Sequence, residues 1–211
     1  AFDSAGQRCS ALRLLCLHGS VADGRIEVIG GAAKELGVGR VGALTTDLGP
    51  VIDQEAFDNI QRHVQRLHGE ARSLLELAVD PELLRAQPHV VPPQMFEVKD
   101  ITDVKAEIFG PVLQVVRWKG DPTQVVARIN ALSYGLTMGI QTRIDSRAQA
   151  LAASAHVGNI YVNRNIIGAV VGVQPFGGEG LSGTGPKAGG PYYLARFSQT
   201  KAELLSLQSL T

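Results

Sequence analysis

Short apolar runs alternate with helix-periodic stretches from residue 12 to residue 163, and this alternation most constrains the fold. Residues 12–17, Leu-Arg-Leu-Leu-Cys-Leu, suit a buried strand. Over residues 21–36, Ile26, Ile29, Ala33 and Leu36 recur at helical spacing, and Gly37 follows where a helix C-cap would sit. Asp53 has the side chain to cap a helix reaching about Gly69, with Phe57, Ile60, Val64 and Leu67 as its apolar stripe. Residues 94–98, 112–118, 136–142 and 159–163 read as strands. Residues 122–132 read as a helix capped by Asp121 with Pro122 at its first position, and residues 146–156 as an Ala-rich helix. Residues 71–79 are ambiguous, and residues 90–93 break regular structure. The pattern predicts a layered α/β domain with a mostly parallel sheet. From Ile166 to Pro191 the chain is Gly-rich and reads as a loop region that closes a domain of residues 1–191. Residues 192–211 then form a tail with no partner of its own, expected to pack on another chain as a remnant of an oligomerisation element.

A chain of 211 residues, 45% hydrophobic and 19% charged, holds one globular domain, with or without an extension. Twenty basic side chains balance 20 acidic ones, so the clustered basic excess of a nucleic-acid surface is missing. The longest apolar runs, such as residues 166–173, are too short to span a bilayer. No charged start, apolar core and small-residue cleavage site mark a secretory signal. Cys9 and Cys16 make neither a disulfide framework nor a zinc cluster, so no metal site is expected. Reduced thiols point to a cytoplasmic protein. The first residue is Ala1, and the opening Ala-Phe-Asp-Ser-Ala-Gly reads as the middle of a longer chain.

Three stretches carry candidate chemistry. In Gly6-Gln7-Arg8-Cys9-Ser10, a cysteine lies among small and polar residues beside an arginine. A nucleophilic thiol needs exposure, a favourable charge environment and donors for an oxyanion, and a backbone N–H at Cys9 could be one such donor. On local chemistry alone, a reactive thiolate and a small inert thiol are equally compatible; Cys16, inside its apolar run, reads as the inert kind. In Glu107-Ile108-Phe109-Gly110-Pro111, a carboxylate and an aromatic ring two residues apart share one side of an extended stretch. That pair suits ribose hydroxyls and a nicotinamide ring, although without further context a solvated Glu and a core Phe are the preferred explanation. The run from Pro175 to Gly185 is dense enough in glycine for its backbone to approach a ligand; a long surface connection is the plain alternative.

Two glycine patterns are decoys. Residues 37–42 match G-x-G-x-x-G literally, yet a helix precedes them and a Thr-Thr-Asp loop follows, the reverse of a dinucleotide fingerprint. Residues 183–188 interrupt a similar pattern with Pro186 and do not match a P-loop.

Taken in order, these pieces resemble the C-terminal half of the aldehyde dehydrogenase superfamily. The carriers are Gly6 to Ser10, Thr46 to Asp53, Glu107 to Val112, Gly158 to Asn163 and Pro175 to Gly178, and the resemblance covers Ala1 to about Phe197. Cys9-Ser10, residues 163–169, residues 182–184 and residues 187–191 resemble more closely the L-glutamate γ-semialdehyde (Δ1-pyrroline-5-carboxylate) dehydrogenases. The wording of residues 1–13 is similar to the bifunctional bacterial proline-utilisation enzymes, in which a FAD-dependent proline dehydrogenase domain precedes this module.

The resemblance implies NAD-dependent oxidation of L-glutamate γ-semialdehyde to L-glutamate. Cys9 would be the nucleophile, passing through a thiohemiacetal and a thioester, with its N–H supporting the oxyanion. Glu107 would hold the nicotinamide ribose and Phe109 would pack near the nicotinamide. Ser10 with the N–H groups of Gly168 and Ala169 would anchor the substrate α-carboxylate, and Phe176 would pack on its aliphatic chain. The partners implied are a small aldehyde and further copies of the full-length protein. The family's general-base Glu, oxyanion Asn and dinucleotide-binding domain all precede the nucleophile, and only eight residues do so here. The chain is therefore expected to be the catalytic portion without the dinucleotide-binding domain, with little or no turnover alone. The readings weighed against this one are a non-catalytic assembly module or proteolytic product, and an aldehyde dehydrogenase for another carboxylated aldehyde.

Overall fold

A computed structural model describes residues 1–198 of the chain. The described residues pack as two compact units, the first ending at Leu132 and the second beginning at Ser133. The boundary falls inside the stretch 1–191, and most of the tail 192–211 lies outside the described residues.

In the first unit, four strands form one sheet in the order β1-β4-β3-β2: β1 is Leu14–His18, β2 Arg72–Glu76, β3 Gln94–Glu97 and β4 Val112–Trp118. β4 lies parallel to β1 on one side and to β3 on the other; only the edge strand β2 runs antiparallel. Alternate side chains of these strands enter two different cores, as the two-residue period of a strand requires. Leu14 and Cys16, Phe96, Val112 and Val116 meet Ile60, Val64 and Leu67 of α2 (Gln54–Glu70) and Val125 and Ile129 of α4 (Pro122–Asn130). Leu15, Leu17, Met95, Leu113, Val115 and Leu75 meet Ile26, Ile29 and Ala33 of α1 (Ala22–Lys34). The sheet is covered on both faces, which is why β1 and β4 read as continuous apolar runs rather than alternating ones.

The caps follow the sequence. Asp53 accepts from the Ala56 N–H at 2.8 Å and Asp121 from the Thr123 N–H at 2.9 Å, satisfying donors that a helix start leaves free. Gly37 does not cap α1: the helix ends at Lys34, with Glu35 as its cap. Gly37 instead lets two backbones touch, because a Cβ there would strike the Thr45 carbonyl oxygen. Its own carbonyl accepts from the N–H groups of Asp47 and Leu48. The ambiguous residues 71–79 contain β2, whose register shifts between Ser73 and Leu75 and so loses strict alternation. A short helix, α3 (Pro81–Ala86), was not visible in the apolar pattern and buries no residue; Asp80 caps it.

In the second unit, β6 (Thr137–Ile140) pairs in parallel with β7 (Asn159–Val162), and α5 (Asp145–Ser154) connects them, burying Ala148 and Leu151. β5 (Tyr134–Gly135) pairs antiparallel with β8 (Glu179–Gly180), so the Gly-rich stretch is anchored by a short ladder rather than being loop throughout. No helix of the described residues is long and apolar enough to cross a membrane.

Removing the α2 cap by Asp53→Ala is expected to cost about 1 kcal/mol and Leu67→Ala about 2–5 kcal/mol, read as urea unfolding midpoints. His63 on α2 is 8% exposed, and burial, reinforced by Arg66, pushes its imidazole down to about 4. The unfolded chain binds this proton near 6.5, the native chain only near 4. Stability is therefore full above about 6.5 and falls as pH drops from there towards 4. Unfolding midpoints of His63→Gln measured across that range should decline less steeply; an unchanged slope would place the acid sensitivity elsewhere.

Candidate active site

Because β1 and β4 are parallel neighbours, with Leu14 opposite Gln114, the loops that enter them lie side by side at the same edge of the sheet. One loop carries Cys9 and Ser10; the other carries Glu107 and Phe109. The Cys9 loop begins in a left-handed turn, with φ of 54° at Ser4, 53° at Ala5 and 67° at Gly6. Left-handed backbone is unfavourable for Ser and Ala and is sustained only where surrounding contacts over-determine it. Those contacts are present. Ala5 is buried, Gln7 accepts from the Ile52 N–H at 2.9 Å, and Gly6 packs so closely on Gly110 that a Cβ would strike its carbonyl oxygen.

Cys9 itself lies in a turn ahead of β1 and is exposed. Its N–H has no acceptor among the described residues, so it remains free to donate. Ser10 turns inward at 8% exposure, and its hydroxyl has no hydrogen-bond partner among the described residues. Arg8, the sequence neighbour of Cys9, is directed elsewhere: it pairs with Asp3 at 3.1 Å and donates to the Ser4 hydroxyl at 3.0 Å. The cation that serves this region is Arg13. Its Nη2 donates to the Arg8 carbonyl at 3.0 Å, its Nη1 to the Gly110 carbonyl at 3.1 Å, and its guanidinium lies 4.9 Å from the centre of the Phe109 ring. Burial lowers the Arg13 pKa, opposed by the negative charges of Glu107 and of an ionised Cys9. On the second loop, Ile108 packs on the core while Glu107 and Phe109 on either side of it are exposed, Phe109 at 43%.

Gly168, Ala169 and Phe176 belong to the second unit. Neither the Gly168 nor the Ala169 N–H has an acceptor among the described residues. Gln174 holds this stretch by donating to the Gly168 carbonyl at 3.2 Å and to the Tyr161 hydroxyl at 3.0 Å. Phe176 is half-buried and exchanges two backbone hydrogen bonds with Ala188. Asn159, first residue of β7, clamps both sides of Phe176: its Nδ2 donates to the Pro175 carbonyl at 2.9 Å and its Oδ1 accepts from the Gly177 N–H at 3.1 Å. Gly158 leaves no room for a side chain, since a Cβ would strike the Gly177 carbonyl oxygen.

A sequence model of the aldehyde dehydrogenase family matches residues 1–202. The chain belongs to the aldehyde dehydrogenase family. It is 52% identical over 207 residues to the bifunctional protein PutA of Klebsiella aerogenes, covering 96% of this chain and 16% of that protein. It is 39% identical over 202 residues to a Bacillus cereus 1-pyrroline-5-carboxylate dehydrogenase, covering 95% of this chain and 38% of the relative. Among solved structures, Bradyrhizobium japonicum proline utilization A superposes with a TM-score of 0.88 at 50% identity, over 94% of this chain and 20% of that one. A Thermus 1-pyrroline-5-carboxylate dehydrogenase with bound NAD gives 0.84 at 34% identity, over 93% and 37%. The chain thus spans well under half the length of these relatives.

Within the aldehyde dehydrogenase frame, the structure brings Cys9, Ser10, Glu107 and Phe109 to one edge of one sheet. Arg13 was missed as a working residue: it is four positions past the thiol, and its one visible sign is a charge at the mouth of an apolar strand. Gln174 was missed because its partners depend on tertiary folding. The two thiols are now distinguishable, because burial pushes Cys16 up to about 12 and keeps it protonated at neutral pH. In the intact chain, iodoacetamide should label Cys9 much faster than Cys16. Equal, slow labelling in a mass-spectrometric time course would remove Cys9 from the catalytic role.

Proposed function

We propose that this chain carries the thiol chemistry of an L-glutamate γ-semialdehyde dehydrogenase. The observation that carries the reading is the exposed Cys9, with its N–H undonated, beside the exposed Glu107 and Phe109 at the shared edge of β1 and β4. The similarity to proteins named 1-pyrroline-5-carboxylate dehydrogenase and PutA supports the choice of aldehyde.

In this mechanism the Cys9 thiolate attacks the aldehyde carbon to form a C–S bond, and the Cys9 N–H stabilises the resulting oxyanion. A bound NAD⁺ would supply the acceptor for the hydride of the thiohemiacetal carbon. A thioester remains on Cys9, and water cleaves it to release the carboxylate product and restore the thiol. Glu107 is the residue for the nicotinamide ribose: its carboxylate is exposed and free of hydrogen bonds among the described residues, so it has acceptors to offer two hydroxyls. Phe109 supplies an apolar face beside it for the nicotinamide. Those features fit the cofactor. In the first unit, Ser10 offers an unengaged hydroxyl for the substrate carboxylate. Within the second unit, the Gly168 and Ala169 N–H groups are unengaged donors of the kind an anion needs. Phe176, braced by Asn159, is a half-buried apolar side chain of the second unit, of the type that packs on an aliphatic chain.

A polypeptide of residues 1–211 expressed by itself is expected to form little or no NADH from the semialdehyde and NAD⁺; robust turnover would show that these residues need no other domain for the reaction. Exchanged for the corresponding segment of a PutA relative, the chain should support NADH formation, and Cys9→Ser should abolish it. Ser10→Ala in that chimera should raise KM for the semialdehyde about tenfold, the size of one lost hydrogen bond to a charge, with kcat little changed. An unaltered KM removes Ser10 from the anchor.

A further inference from the structure

Two loops that are 98 residues apart in sequence at Cys9 and Glu107 must hold one relative position for a thiol and a cofactor to meet. The backbone gives only part of that constraint, since β1 and β4 pair from Leu14 and Gln114 onward and the loops lie beyond the ladder. One side chain closes the gap. The Arg13 guanidinium donates to the carbonyl of Arg8, the residue before Cys9, and to the carbonyl of Gly110, the residue after Phe109. Its plane stands over the Phe109 ring at 4.9 Å. The Arg8 carbonyl also accepts from the Ala11 N–H at 3.1 Å, so the guanidinium grips the same carbonyl that closes the turn presenting Cys9. The third nitrogen, Nε, is buried without a partner among the described residues. A buried, unpaired N–H costs stability, and here it accompanies a fork aimed wholly at the two loops.

We infer that Arg13 is the positioning residue of the site, a staple that sets the Cys9 turn against the Glu107–Phe109 turn and places one positive charge between the thiol and the carboxylate. It acts through Cys9 and Glu107 rather than on the substrate. A planar, permanently charged fork suits this task and an ammonium does not, because only the fork reaches two carbonyls and a ring face at once. The negative charges of Glu107 and an ionised Cys9 both favour protonated Arg13, in keeping with that placement.

The inference rests on Cys9 being the nucleophile, and the experiment separates the two. In the full chain, iodoacetamide labelling of Cys9 is timed at one pH and low salt, with Cys16 labelling and the thermal midpoint followed alongside. Arg13→Met should slow Cys9 about tenfold, an effect that shrinks in high salt, while Cys16 stays protected. Arg13→Lys keeps the charge but loses the fork and should slow Cys9 about threefold. Unchanged Cys9 rates in both variants, with Cys9 fast in the parent chain, would overturn the inference and leave the nucleophile standing. Equal labelling of both thiols in the parent would instead sink the functional reading itself. If Arg13→Met unfolds, exposing Cys16, Arg13→Lys decides: a rate equal to the parent's rejects the staple.

Discussion

The parallel pairing of β1 with β4 is the contact on which the site depends. Parallel neighbours enter the sheet from the same edge, so the chain before β1 and the chain before β4 are delivered to one place however far apart they are in sequence. Hydrophobic cover on both faces holds that pairing. Leu14, Cys16, Val112 and Val116 face α2 and α4, while Leu15, Leu17, Leu113 and Val115 face α1. An antiparallel β4 would have sent Glu107 and Phe109 to the far end of the sheet from Cys9.

Close backbone approach is the second device, and glycine permits it. Gly6 rests on Gly110 in the first unit and Gly158 on Gly177 in the second, each at a distance that excludes any Cβ. Polar side chains then fasten what the glycines bring together. Arg13 spans the carbonyls of Arg8 and Gly110, and Asn159 spans Pro175 and Gly177. In both units the residues proposed to meet ligand sit on irregular backbone, and a strand-borne or strand-adjacent side chain secures that backbone. Rigid elements thus position loops that carry little regular hydrogen bonding of their own.

Much of this was legible in the residue pattern. The strands over 94–98, 112–118 and 159–163 and the helix over 122–132 appear within two residues of their expected places. Strong apolar periodicity and an Asp cap are local signals that tertiary context does not override. The G-x-G-x-x-G at 37–42 was rightly set aside: α1 precedes it and the next helix starts only at Gln54. The misses share a cause. β2 carries a register shift, α3 buries nothing, and the Gly37 turn is a close contact with Thr45, so none of them leaves a periodic trace.

The sequence by itself determined the α/β class, the family, most of the element order and a first list of chemically able residues, because periodicity, caps and ordered motifs are written in neighbouring positions. It read Cys16 as inert, left the reactivity of Cys9 open on local chemistry, and pointed to Arg8 as the basic neighbour of Cys9. Tertiary structure decided those points. Folding partly buries Cys16 and exposes Cys9, draws Arg8 away to Asp3 and Ser4, and brings Arg13 round to the Cys9 turn and the Gly110 carbonyl. Burial and charge placement belong to contacts between distant segments, and a strand pairing across about a hundred residues is set by packing of the whole sheet rather than by any local run of side chains.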